Sequence, residues 1–138
     1  MKVGLLIISH DGLGRALYET VIATLGSSPL EVRLLSVSRN ADPDALLIEA
    51  RRLAAEVEHG DGLLVLTDIY GSTPSNIACR LQELPAVRVV AGVNLPMLFR
   101  IFNYPALDLD ALAEKALSGG RDGVMAACPI PVRKETSP

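Results

Sequence analysis

The stretch Val3-Gly4-Leu5-Leu6-Ile7-Ile8-Ser9-His10-Asp11-Gly12-Leu13-Gly14 decides how the rest of the chain is read. Its continuous aliphatic run predicts a strand over 3–9 buried on both faces, because a half-exposed strand would alternate apolar and polar residues. The glycines that follow predict a tight turn into a helix. His10 therefore falls at the carboxyl end of the first strand, beside a helix amino terminus. In open α/β sheets that crevice is where ligands bind. The unpaired N–H groups of a helix start favour an anion there. An imidazole in such a place can act as a nucleophile toward a phosphoryl group.

Working outward, the same alternation recurs. Short apolar runs at 32–37, 62–67 and 86–91 predict three further strands. Helical patterns lie between them. Leu13, Leu17, Val21 and Leu25 recur at four-residue steps over 14–25, and Leu46, Ala50, Leu53 and Val57 make a stripe over 43–58. Asp42-Pro43 and Thr73-Pro74 are good helix starts, with a polar residue before a proline in the first turn. The helix opened by Thr73 is expected to reach about Glu83, and another to span 108–118. A turn is expected at Pro96-Met97-Leu98 and a loop over 118–123. One more short strand is expected over 124–128, at an edge, since Pro129 and Pro131 cannot donate ladder hydrogen bonds. Strand and helix in alternation imply a parallel sheet with right-handed crossovers. The expected class is α/β: three layers around four parallel strands, plus the C-terminal edge strand. One domain over 1–128 is expected, with a polar tail over 129–138.

Composition narrows the function. The chain has 138 residues, of which 49% are hydrophobic, 21% charged and 4% aromatic, so a folded domain with an aliphatic core is expected. A net charge of -3 gives no electrostatic reason to expect nucleic acid or an anionic membrane. No apolar run approaches a membrane span, and the polar Ser9-His10-Asp11 interrupts what would otherwise resemble a signal peptide. Cys79 and Cys128 lack metal-type spacing and read as reduced residues of a cytoplasmic protein, Cys79 in the core and Cys128 in the edge strand.

Parallel strands bring their carboxyl ends to one edge, so three segments become neighbours there: His10, the run Asp68-Ile69-Tyr70-Gly71-Ser72-Thr73-Pro74, and Gly92-Val93-Asn94-Leu95. Asp68 is the candidate partner of His10, because a carboxylate on one ring nitrogen fixes the tautomer and frees the other. Gly71, Ser72 and Thr73 offer hydroxyls and N–H groups at a helix start, suited to phosphate oxygens. Arg15, one turn beyond His10, and Arg100 are weaker candidates for meeting a phosphoryl group or a partner. His59 reads as a solvated residue at a helix end.

Other mechanisms fare worse. Gly12-Leu13-Gly14 begins like a dinucleotide fingerprint, but Leu17 stands at the third glycine position and no acidic residue ends the second strand. There is no phosphate-binding GxxxxGK[ST] loop. A Ser9-His10-Asp68 triad is implausible on the strand period, which points adjacent residues to opposite faces. No metal site and no organic cofactor are expected.

Taken together, Ser9-His10, the segment Thr67 to Asn76, and Gly92-Val93-Asn94-Leu95-Pro96-Met97-Leu98 resemble the mannose/sorbose-type IIA proteins of the bacterial sugar phosphotransferase system, over 1–128. The resemblance implies a phosphocarrier that accepts a phosphoryl group from the carrier HPr and passes it to a IIB component. It makes His10 the phosphorylated residue and Asp68 its orienting carboxylate. The family's phosphate-side hydroxyl lies in a Gly-Gly-Ser-Pro segment. Here the segment is Gly71-Ser72-Thr73-Pro74, so Thr73 takes the hydroxyl's place. The resemblance also implies a homodimer, in which the last strand, here 124–128, is antiparallel and exchanged between subunits. The IIB partner is expected on a separate chain. A second reading keeps the phosphorylation but makes its output the binding of a regulated partner, and a third passes the phosphoryl group to a dihydroxyacetone kinase. The sugar, if any, is not readable from a component that never contacts it.

Overall fold

The computed structural model describes residues 2–128 and 131. The chain alternates as expected: β1 (Gly4–His10), α1 (Leu13–Leu25), β2 (Val32–Val37), α2 (Pro43–Val57), β3 (Leu63–Thr67), α3 (Thr73–Arg80) with a 3-10 turn (Leu81–Glu83), β4 (Val87–Ala91), α4 (Leu95–Phe102) and α5 (Leu109–Asp122). The strands form one parallel sheet in the order β2-β1-β3-β4. The chain leaves β1 toward β2 and then returns past β1 to β3. The carboxyl ends of β1 and β3 therefore flank the point where the strand order reverses, which is where such sheets open a crevice.

Burial on both sheet faces explains the unbroken apolar strands. Leu5 and Ile7 of β1 join Leu64 and Leu66 of β3 beneath α1, α4 and α5. Leu6 and Ile8 join Leu63 and Val65 on the other face, beneath α2 and α3. Each fully buried Leu or Ile contributes about 1.5–3 kcal/mol. The period places Ser9 toward α1 and His10 toward the α2 and α3 side. Ser9 Oγ accepts the Gly14 N–H at 2.8 Å, tying β1 to the first turn of α1. A Cβ on Gly14 would stand 2.8 Å from both Ser9 Oγ and Ile7 Cγ2, so glycine is what lets the helix approach the strand so closely.

Several expectations need correction. Only the middle of the four-residue stripe of α1, Leu17 and Val21, belongs to its buried face. Leu13 and Leu25 are 46% and 40% exposed, because each four-residue step drifts about 40° around a helix of 3.6 residues per turn. The face that packs holds Leu17, Tyr18, Val21 and Ile22. Pro96-Met97-Leu98 is not a turn but the first half of α4. Asn94 caps that helix, its Oδ1 accepting the Met97 N–H at 2.9 Å, and Pro96 sits in the first turn. The 118–123 loop is in fact largely the continuation of α5 to Asp122. Gly119 lies where a Cβ would meet Arg100 Cβ at 2.5 Å, so its lack of a side chain serves close packing against α4 and not a turn. Cys79 is exposed on α3 and not in the core.

The expected edge strand is not formed within the single chain. The segment 124–128 is irregular and exposed, Cys128 included, and no described residue pairs with β2 or β4 along their outer edges. A strand exists only by pairing its backbone groups with a neighbour. The tail over 129–138 lies outside the described residues except for Pro131.

Candidate active site

His10 ends β1, and Asp68 directly follows β3. The register pairs Ile8 with Thr67, so the two residues rise side by side just beyond the paired strands. One oxygen of Asp68, Oδ2, accepts the backbone N–H of His10 at 2.8 Å and meets its ring Nδ1 at 2.7 Å. The other oxygen, Oδ1, accepts the Ile69 N–H at 2.9 Å. The Asp68 side chain is only 7% exposed. Burial pushes its carboxyl upward and is the largest single influence. The His10 backbone N–H, the His10 ring, the Ile69 N–H and the charge of a protonated His10 together outweigh it, and hold the carboxyl below the usual aspartate range.

An ionised carboxylate has no proton to give, so the ring nitrogen facing it must be the donor. Neutral His10 is thereby held as the Nδ1–H tautomer. Nε2 is left with a free lone pair, on a side chain 49% exposed. An imidazole held in this way can act as a nucleophile, with the carboxylate balancing the positive charge that develops on the ring.

The ring looks onto a cleft of 580 Å³ lined by His10, Asp11, Val37, Ser38, Arg39, Ala41, Pro43 and Thr73. Its walls come from the loop after β2 and the starts of α2 and α3. Asp11 adopts φ +42, an uncommon conformation for a non-glycine residue, and its N–H bonds Val37 O at 3.1 Å. Ile69 and Tyr70, next in sequence to Asp68, are exposed apolar residues, Tyr70 by 83%.

Of the sequence-predicted loop, Thr73 lines the cleft. Ser72 is the N-cap of α3: its Oγ donates to Ile69 O at 2.7 Å and accepts the Ser75 N–H at 3.4 Å. Gly71 supplies the turn before it, at φ +85. Arg15 pairs loosely with Glu19 at 3.8 Å, and Arg100 reaches Asp122 at 3.8 Å beside α5. His59 meets Glu31 at 3.0 Å on the surface. No group of three or more His, Cys, Asp or Glu able to hold a metal ion occurs among the described residues. No helix among them is long and apolar enough to cross a membrane.

Sequence reasoning missed Ser38 and Arg39. The signal was available: they directly follow a parallel strand whose carboxyl end must share an edge with His10, and Val37 is the register partner of His10.

This geometry can be set beside known proteins. A family model described as "PTS system fructose IIA component" matches residues 4–117. The "PTS system mannose-specific EIIAB component" of Escherichia coli K12 is 28% identical over 137 residues, which is 97% of this chain and 42% of that protein. The chain thus spans less than half the length of that relative. The "mannose/sorbose specific IIA subunit" from Enterococcus faecalis superposes with a TM-score of 0.83 at 23% identity, over 96% of this chain and 100% of that one. Component EIIA from Streptococcus agalactiae gives 0.80 at 19% identity, over 90% and 96%. With the family matched across most of its length and the same fold in these neighbours, the chain belongs to the mannose-type IIA family of the sugar phosphotransferase system.

Proposed function

We propose that this protein is a phosphocarrier: His10 Nε2 accepts a phosphoryl group from phospho-HPr and hands it to a IIB component. The observation that carries the reading is the hydrogen bond from His10 Nδ1 to Asp68 Oδ2 at 2.7 Å, on a histidine that lines an open cleft. In the transfer, the Nε2 lone pair forms the new N–P bond as the donor's N–P bond breaks. The donor imidazole leaves neutral and His10 becomes a phosphorylated imidazolium, its Nδ1–H still on Asp68. No net proton changes hands, and the bonds made and broken are alike, so the step runs in both directions.

The family membership supports this reading, and so does the rim. Ile69 and Tyr70 present apolar surface beside the nucleophile, suited to docking a protein donor. Gly71, Ser72 and Thr73 form the phosphate side, with Thr73 on the cleft wall and Ser72 holding the loop's shape. The reading entails a cytoplasmic protein, where phosphoenolpyruvate is available, and no cofactor. It extends to a homodimer in which 124–128, exposed and carrying the apolar Val124 and Met125, pairs with the sheet edge of a second copy.

The test is intact mass after incubation with phosphoenolpyruvate, enzyme I and HPr. One added phosphoryl group, labile to acid and absent in His10→Ala, is the expected result. Folded wild-type protein that gains no mass, or a His10→Ala variant that still gains it, would overturn the assignment.

A further inference from the structure

We propose that Arg39 is the cation that receives the phosphoryl group on His10, closing on its oxygens across the cleft. The inference rests on the phosphocarrier reading and deepens it.

A phosphoryl group on Nε2 places nearly two negative charges in this cleft. The starts of α2 and α3 have lost part of their capacity to balance them. Pro43 and Pro74 have no N–H. Asp42 Oδ1 occupies the Asp44 N–H at 3.3 Å, and Ser72 Oγ occupies the Ser75 N–H at 3.4 Å. The α2 end also carries Asp42 and Asp44, whose charges repel an anion. Asp11 adds a third acidic group on the cleft wall.

Arg39 is the one cation lining the cleft. It lies two residues beyond Val37, the register partner of His10, in a turn closed by the Ala41 N–H on Ser38 O at 3.3 Å. Its side chain is exposed, and it has no acidic partner among the described residues. By contrast Arg33, Arg51, Arg52 and Arg88 are all held in ion pairs. A guanidinium on a flexible stem presents a fork of donors that matches phosphate oxygens. No described residue holds it elsewhere, and it lines the same cleft as His10.

The experiment compares wild type, Arg39→Gln and Arg39→Lys, each phosphorylated on His10 and freed of its donor. Phosphorus NMR then follows the second ionisation of the phosphoryl group with pH. Asp11 on the cleft wall, Asp42 and Asp44 at the α2 start, and Asp68 on the His10 ring are present in all three proteins, so their effect cancels. The expected result is a titration midpoint shifted upward in Arg39→Gln and partly restored in Arg39→Lys. The equilibrium for transfer from phospho-HPr should fall about tenfold in Arg39→Gln, the equivalent of one charged hydrogen bond. Identical titrations in the three proteins would overturn the inference while leaving the phosphocarrier reading intact. A slower transfer with an unchanged titration would overturn it too, assigning Arg39 to donor docking. Wild-type protein that takes up no phosphoryl group would overturn both.

Discussion

Asp68 Oδ2 holds His10 twice, by its backbone N–H at 2.8 Å and by its ring Nδ1 at 2.7 Å. The carboxylate thus fixes where the histidine stands and which ring nitrogen is free. Asp68→Asn keeps the shape and removes the charge. We expect phosphoryl acceptance to fall roughly 10–100-fold, the worth of a hydrogen bond to a charged partner. Single-turnover transfer from phospho-HPr measures it, and an unchanged rate would remove Asp68 from the mechanism.

Because the Asp68 carboxyl is held below its ordinary value, its hydrogen bonds stabilise the fold in the ionised form. That contribution is complete above the ordinary aspartate range of about 4, and is lost as pH falls through the lower folded-state value. Urea unfolding of wild type and Asp68→Asn should therefore differ most near neutral pH and converge in acid. A stability gap that widens on acidification would contradict the sign.

Thr67 Oγ1 is buried, with no hydrogen-bond partner among the described residues, one position before Asp68. Valine has nearly the same shape without the hydroxyl. Thr67→Val should leave stability equal or raise it by about 1–2 kcal/mol, since an unsatisfied polar group no longer has to be buried. Thermal unfolding reads the change, and a clear loss would mean the hydroxyl has a partner.

In the proposed dimer, 124–128 supplies the contact between copies. Replacing Val124 and Met125 together by Asp puts two charges on that segment and should convert the dimer to monomer. Sedimentation equilibrium decides it. A monomeric wild type would exclude the exchange.

Much of this was readable in residue order, for local physical reasons. Unbroken runs such as Leu5-Leu6-Ile7-Ile8 demand burial on both faces, hence a parallel sheet between helices, and a parallel sheet puts His10 and Asp68 on one edge. Helix α4 was also legible, since Asn94 and Pro96 form a start signal ahead of the apolar Met97, Leu98, Ile101 and Phe102. Pro96 alone signals a turn as readily as a helix start, and only the Asn94 cap two residues earlier separates the two.

The remainder is set by distances between segments that no local pattern encodes. Gly119 belongs to a helix because α4 lies against it, which its flexibility in isolation would not suggest. Cys79 is exposed because of which face α3 turns to the sheet. The segment 124–128 lacks a strand because a strand is a property of two backbones. Residue order by itself determined the layers, the sheet edge and the place of His10 on it, since those follow from period and polarity. Only the tertiary structure decided that β1 lies beside β3 in the register that brings Nδ1 onto Asp68, and that Arg39 lines the same cleft as His10, because those relations are made by packing across the sheet.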